Sequence, residues 1–414
     1  MASKRLRLKK SEKLYEEAKR YIPGGITGIR RPINFIPGEY PIFLKSGKGG
    51  RITDVDGNEF VDLLLSYGPI IIGHREKVID DAVVRQMKNG FCFNLPQVYQ
   101  NELCKMMSEL IPCAEQTILV RTGSDATTGA IRIARGYTNK TKIIRSGYHG
   151  WHDWCVEVKG GILPKAYEDT IDIHYNDVET LVSLFKQYPD DIAAVIVTGI
   201  GHPLNEPVVE PTKEFFNTIR ELTTKHGSIM ILDEIRTGFR VSLGGAQKRY
   251  GVTPDLATFG KAMANGYCIS AISGKREVMN VVTEGKVFIS STFFHNSLEM
   301  VASIETIKFL KKNRVIENIW KKGEYLLNEF RRLIEPYQDI INLSGIPPMP
   351  FFTFPRDSQG KYKERRKAFY TECIRAGVFM QPYHHSYICY RHTEKDLNQV
   401  LNAVEGALKV IKEI

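Results

Sequence analysis

The sequence predicts an α/β protein: a large domain with a mostly parallel, doubly wound sheet, and a smaller α+β domain built from both ends of the chain. Three observations carry this. The 414 residues exceed what one ordinary hydrophobic core organises. From Thr117 onward, short apolar runs alternate with amphipathic stretches, the pattern of strands connected by helices. Beyond about residue 300 the pattern shifts to longer helical periodicity. We therefore expect residues 1–70 and 306–414 to form the small domain and 71–305 the large one.

In chain order, "SEKLYEEAKRYIPGG" offers Ser11 as an N-cap, Leu14, Ala18 and Ile22 at helical spacing, and a Pro-Gly-Gly stop. In "GRITDVDGNEFVDLL" two alternating apolar runs flank Asp56-Gly57, a strong hairpin signal. The same "DVDGN" is similar to the start of a calcium loop, but Leu65 stands where the acidic twelfth ligand belongs and strands replace the flanking helices. "TILV", "KIIR" and "AAVIV" read as strands of the large sheet. "PTKEFFNTIRELTTKHG" reads as a helix with Pro211 at its start, Phe215, Ile219 and Leu222 on one face, and Gly227 as its stop. "IMILDE" follows as a strand. The chain ends in a helix with Leu397, Val400, Leu401, Val404, Leu408 and Ile411 on one face.

Composition narrows the function classes. With 43% hydrophobic and 25% charged residues the chain is a folded globular protein without long disordered segments. The net charge of +10 is concentrated in part in "KRLRLKK", which reads as a solvated N-terminus, because no aromatic-interleaved basic stripe follows it. Neither a nucleic-acid nor a membrane partner is expected, since no run approaches the about 18 apolar residues of a membrane span. Seven scattered cysteines without a C-x-x-C spacing suggest neither a disulfide framework nor zinc, and fit a cytoplasmic protein.

Three strand ends carry candidate chemistry. In "VRTGSDATTGAIRIARGY", Gly123 and Ser124 follow a strand and open a helix, whose free N–H groups make a phosphate cradle; a plain N-cap by Thr122 or Ser124 is the alternative. The Walker lysine is missing, and "GIGHPL" after "AAVIV" lacks the third glycine of a dinucleotide fingerprint. Asp233 ends a buried strand and needs a cation or strong donors to offset its desolvation. Lys261 follows another apolar run, where it is either an amine nucleophile of lowered pKa or a solvated helix-start residue. An anion cradle, a carboxylate for a pyridine nitrogen and an amine for a Schiff base are together what pyridoxal phosphate requires. Tyr148 in "GYHGWHD" is placed to cover a ring, while His149 and His152, without further acidic ligands, do not make a metal site.

Over nearly its whole length the sequence resembles the class III aminotransferases, in particular the glutamate-1-semialdehyde 2,1-aminomutase-like subgroup. "DVDGNEFVD", "SYGPIIIGH", "RTGSDA", "GYHG", "LDEIRTGFR", "GGAQKRYGVTPDLATFGKAMANG" and "STFFHNSLEMVA" carry the resemblance, in the family's order and spacing. It implies a fold type I homodimer with shared active sites, binding pyridoxal phosphate, an amino donor and a carbonyl acceptor. It makes Lys261 the Schiff-base lysine and catalytic base, and Asp233 the partner of the pyridine nitrogen. Gly123 and Ser124 become phosphate ligands, Tyr148 and Ile235 the two walls of the ring pocket, and Thr292 a phosphate ligand from the neighbouring subunit. Arg31 falls where the aminomutases hold a substrate carboxylate, with Arg30 as its alternative, and His384 and His385 fall near the family's substrate region.

The departures bear on substrate. Thr198-Gly199 stands where the family usually has Glu-Pro, and the loop after "YHGWHDW" is shorter than the aminomutase gating loop. A shortened gate favours transfer between molecules over an internal shift. The expectation is thus a ping-pong aminotransferase acting on a ketone or aldehyde acceptor. The alternatives are the aminomutase reaction giving 5-aminolevulinate and, more remotely, a non-catalytic cofactor-binding regulator.

Overall fold

The computed structural model describes residues 4–28, 32–202 and 206–414. It forms two compact units: Met1–Glu76, Leu204–Val208 and Glu317–Ile414 make the first, and Lys77–Pro203 with Val209–Ile316 the second. The first unit is therefore built from both ends of the chain.

It starts with α1 (Lys9–Ala18), whose N-cap is Leu8 and not Ser11. Ser11 is buried in the first turn, where its hydroxyl accepts the Ile42 and Phe43 amides at 2.8 and 3.0 Å and its own N–H donates to Asp56 Oδ2 at 2.9 Å. A tertiary role has displaced the local capping role its sequence position suggested. The strands β1 (Leu44–Lys48), β2 (Arg51–Asp54) and β3 (Glu59–Asp62) are antiparallel neighbours, with Ile52 opposite Phe60 across the Asp56-Gly57 turn. Asp54 Oδ1 accepts the Asp56 and Asn58 amides at 2.9 and 2.8 Å, and Gly57 takes the positive φ of +92° that the turn requires.

The second unit opens with α2 (Lys77–Met87) and α3 (Val98–Leu110), then alternates β4 (Gln116–Val120), α4 (Gly123–Thr138), β5 (Lys142–Ser146), β6 (Thr170–Asp172), α5 (Val178–Gln187), β7 (Ile192–Thr198), α6 (Lys213–Lys225), β8 (Ile229–Asp233), α7 (Gly245–Tyr250), β9 (Leu256–Phe259) and β10 (Ser270–Gly274). These strands form one seven-stranded sheet in the order β4-β10-β9-β8-β7-β5-β6, parallel except where β10 runs between β4 and β9. Every residue of β7, β8 and β9 is buried, which explains their unbroken apolar character: both faces are covered by helices. Pro211, expected at the helix start, lies just before α6; Thr212 caps the helix, its hydroxyl accepting the Phe215 amide at 3.1 Å. The unit continues through α8 (Arg276–Thr283) and α9 (Ser297–Lys312).

After α10 (Val315–Ile334) the chain adds β11 (Asn342–Ile346), β12 (Met349–Thr353), α11 (Lys361–Arg375), β13 (Val378–Phe379) and α12 (Glu394–Ile411). β13 pairs parallel with β3 and completes a four-stranded sheet. The C-terminal helix buries Leu397, Val400, Val404, Leu408 and Ile411, and is fixed at its start by a capping box between Thr393 and Asp396. No helix among the described residues is long and apolar enough to cross a membrane.

Candidate active site

The carboxyl ends of β7, β8 and β9 place Thr198, Asp233 and Thr258 side by side in one row across the sheet. Paired residues of neighbouring strands point to one face. Asp233 is buried at 4% exposure and is held from three sides: Oδ2 lies 2.8 Å from His149 Nδ1, while Oδ1 accepts the Ile235 amide at 3.0 Å and the Thr258 hydroxyl at 3.2 Å. Glu234 turns the opposite way, as strand alternation demands. Fully buried, it accepts the Thr237 hydroxyl at 2.6 Å and the Ala246 and Gln247 amides at 2.7 and 3.0 Å, and so ties down the start of α7. Burial pushes its carboxyl above the usual range, against the pull of those donors.

Asp233 and Ile235 open onto a cavity of about 210 Å³ that is also lined by Gly123, Ser124, Tyr148 and Lys261. The structure thus brings together six of the residues singled out in the sequence. The start of α4 forms one wall. Thr122 and Asp125 close a capping box there, with the Asp125 amide donating to Thr122 Oγ1 and the Thr122 amide to Asp125 Oδ2. The Gly123 and Ser124 amides take no part in that box, and both residues line the cavity at the positive end of the helix. Gly150 passes so close that a Cβ would lie 2.4 Å from Ser124 Oγ, and its φ of +117° independently requires glycine.

Lys261 sits just past β9 with φ at +44°, a left-handed conformation that costs a non-glycine residue about 1–3 kcal/mol. Desolvation lowers its pKa from 10.5 to about 7, and the Arg236 guanidinium pushes the same way against the pull of Asp233. Tyr148 is half exposed on the cavity rim; desolvation raises its phenol, which therefore stays neutral. A buried carboxylate, a helix start with uncommitted amides and an amine partly in its free-base form suit a flat, nitrogen-bearing aromatic ring with an aldehyde and a phosphate arm.

Other site candidates fall elsewhere. Thr292 is exposed in the loop between α8 and α9 and is absent from the cavity lining. Arg30 and Arg31 lie outside the described residues. His384 and His385 belong to the first unit, where their rings stack at 4.3 Å and pack with Tyr67 and Tyr387. Sequence reasoning missed the role of His149 as Asp233's partner. His149 was weighed only with His152 as a metal pair, whereas His152 Nδ1 lies 2.8 Å from the Thr128 hydroxyl. Arg236 and His202, which also line the cavity, were missed as well. The signal for Arg236 was available: a cation three residues past a strand-end carboxylate.

The chain matches the family model Aminotransferase class-III over residues 36–408. It is 55% identical over 413 residues to the 3-aminobutyryl-CoA aminotransferase of Cloacimonas acidaminovorans, covering 100% of both chains. It is 33% identical over 426 residues to a glutamate-1-semialdehyde 2,1-aminomutase of Lachnoclostridium phytofermentans, covering 97% of this chain and 99% of that one. Among solved structures, the PLP internal aldimine form of the FumI protein of Sphingopyxis sp. MTA144 superposes with a TM-score of 0.93 at 28% identity, covering 98% of this chain and 97% of that one.

Proposed function

Because this chain belongs to the class III aminotransferases, we propose that its amino substrate is a 3-aminoacyl-CoA thioester, with a keto acid as the second partner. The protein is a pyridoxal-phosphate-dependent aminotransferase that moves an amino group from a donor to a carbonyl acceptor. The observation that carries the substrate reading is the 55% identity, without length difference, to the 3-aminobutyryl-CoA aminotransferase. Thr198 supports it, since the row beside Asp233 carries a neutral hydroxyl and the cavity gains no second carboxylate from β7.

When bound, pyridoxal phosphate supplies the electron sink that stabilises charge on the amine-bearing carbon. The chain's own groups do the rest. Lys261, with its pKa near 7, offers a free amine at neutral pH that would hold the cofactor's carbonyl carbon with loss of water and, once the amino substrate has displaced it, would take the proton from the substrate carbon and return it. Asp233, fixed by Thr258, the Ile235 amide and His149, would hold the proton on the pyridine nitrogen. Gly123 and Ser124 would bind the phosphate at the start of α4, and Tyr148 and Ile235, which line the same cavity, would enclose the ring.

The working form is a homodimer. Phe91, Phe93, Leu95, Val98, Phe288 and Phe293 are exposed, and the two segments that carry them are joined by the Ser297 amide donating to the Phe91 carbonyl at 2.9 Å. A second copy covering this face would let Thr292 reach the partner's phosphate. Seven unpaired cysteines support a cytoplasmic setting.

Steady-state assay with 3-aminobutyryl-CoA and with free 3-aminobutyrate, each against a panel of keto acids, tests the substrate. The thioester should have the higher kcat/KM by about a hundredfold or more, roughly 3 kcal/mol of differential recognition. Equal efficiency on the free acid would overturn the reading. Catalytic turnover of glutamate-1-semialdehyde without an amino donor would establish the aminomutase reaction instead.

A further inference from the structure

Arg236 stands one residue beyond Ile235 in the turn after β8 and lines the same cavity as Asp233, Tyr148 and Lys261. Its Nε and Nη1 atoms are buried, so these two nitrogens are turned to the protein interior and not to bulk solvent. It lies near enough to Lys261 to disfavour the ammonium form and near enough to Tyr148 to favour the phenolate. Among the described residues that line the cavity it is the one that carries a guanidinium.

The ligand's connectivity then limits what this cation can meet. On pyridoxal phosphate the carbonyl carbon sits between two ring positions, one bearing the phosphate arm and the other a phenolic oxygen; the ring nitrogen lies across from it. Asp233 takes the nitrogen, Lys261 the carbonyl carbon, and the Gly123–Ser124 amides the phosphate. One ionisable group of the cofactor is left, the phenolic oxygen, and it lies beside the carbon that Lys261 attacks. A guanidinium in the same cavity as Lys261 would meet that oxygen, and a planar N–H fork hydrogen-bonds an anionic oxygen strongly.

We propose that Arg236 is the ion-pair partner of the cofactor's phenolic oxygen and thereby sets the protonation state of the resting Schiff base. The inference rests on the assignment of Asp233, Lys261 and the α4 start to the cofactor, and is independent of which amino substrate is used. With its imine neutral, the Schiff base carries one net negative charge on the phenolic oxygen; with the imine protonated, that charge is cancelled. A fixed cation favours the first state and lowers the pH at which the imine proton leaves. Among the described residues, the charged and titratable groups around Lys261 are Asp233, which opposes this, Arg236 and Arg240, which reinforce it, the Tyr148 phenol, His149 behind Asp233, and His202 in the cavity lining.

The test uses the loaded enzyme without any amino substrate. Arg236→Met and Arg236→Lys are compared with the native protein in three measurements: spectrophotometric pH titration of the cofactor's visible band, dissociation of pyridoxal phosphate, and thermal melting of the cofactor-free form. Arg236→Met should raise the titration midpoint by about one pH unit, the tenfold change of one lost charge interaction, and weaken cofactor binding by about tenfold, with unchanged cofactor-free melting. Arg236→Lys, which keeps the charge but loses the fork, should fall between, and decides the matter should the methionine variant not fold. An unshifted midpoint with native cofactor affinity overturns the proposal. Absence of a visible band in the native enzyme would instead overturn the cofactor assignment beneath it.

Discussion

Raising the pH of the cofactor-free enzyme from 6 to 10 isolates the group on which the chemistry depends. Lys261 falls from 10.5 to about 7, with desolvation as the largest cause. That fall corresponds to roughly 5 kcal/mol disfavouring the ammonium, a ceiling for a side chain that keeps some access to the cavity. About a tenth of the amine is then free base at pH 6 and about nine tenths at pH 8. Reductive alkylation with a small neutral aldehyde, quantified by peptide mass spectrometry, reports this fraction, and exposed lysines of the same sample serve as the internal reference. Modification of Lys261 should rise about tenfold from pH 6 to 8 and then level, while the reference lysines keep rising through pH 10. The same shift has a thermodynamic signature. The unfolded chain keeps the lysine proton up to about 10.5 and the folded chain releases it near 7, so the unfolded state binds more protons in between and the cofactor-free protein gains stability as pH rises across that window. A modification profile for Lys261 that parallels the reference lysines would refute the reasoning.

Three substitutions test the rest of the site. Asp233→Asn keeps the shape and removes the charge, and should lower kcat by about a thousandfold, roughly 4 kcal/mol, in single-turnover half-reactions with folding intact by circular dichroism. His149→Phe removes the 2.8 Å contact to Asp233 and should cost about ten- to a hundredfold in kcat, the worth of one hydrogen bond to a charged group; an unchanged rate would show that Thr258 and the Ile235 amide suffice. Gly150→Ala places a Cβ against Ser124 Oγ at a backbone angle of +117°, and should lower stability by about 1–3 kcal/mol in thermal melts and weaken cofactor binding in parallel.

Much of this arrangement was legible because it is written in short-range order. The apolar runs of β7, β8 and β9 identify buried parallel strands, and a residue at the end of such a strand has a defined destination, which is why Asp233, Ile235 and Lys261 could be placed from sequence. Gly123 and Ser124 were placed by a strand running directly into a helix start. What escaped depends on partners distant in the chain. Ser11 signals a cap, yet it answers amides 31 and 32 residues away. His149 meets a carboxylate 84 residues further on, so neither residue announces the other.

The row Thr198–Asp233–Thr258 shows how the two kinds of information combine. A carboxylate buried at a strand end costs several kcal/mol unless compensated. Here the neighbours in register on both strands carry hydroxyls, and Thr258 donates to the carboxylate while Thr198 Oγ1 is committed to the Ile200 carbonyl at 2.9 Å. Among the described residues, Asp233 is held by an amide, a hydroxyl and an imidazole. We expect this carboxylate to be matched by the protonated ring nitrogen that arrives with the ligand. Cofactor binding should accordingly raise the melting temperature in a concentration-dependent way, by about 4 kcal/mol of stability at a thousandfold excess over Kd. Asp233→Asn should reverse the two ends of that comparison: the cofactor-free variant, relieved of a buried charge, melts no lower than the native protein, while the stabilisation on adding cofactor is largely lost. A variant that melts lower without cofactor yet gains as much from it as the native protein would mean that Asp233 serves the fold and not the pyridine nitrogen.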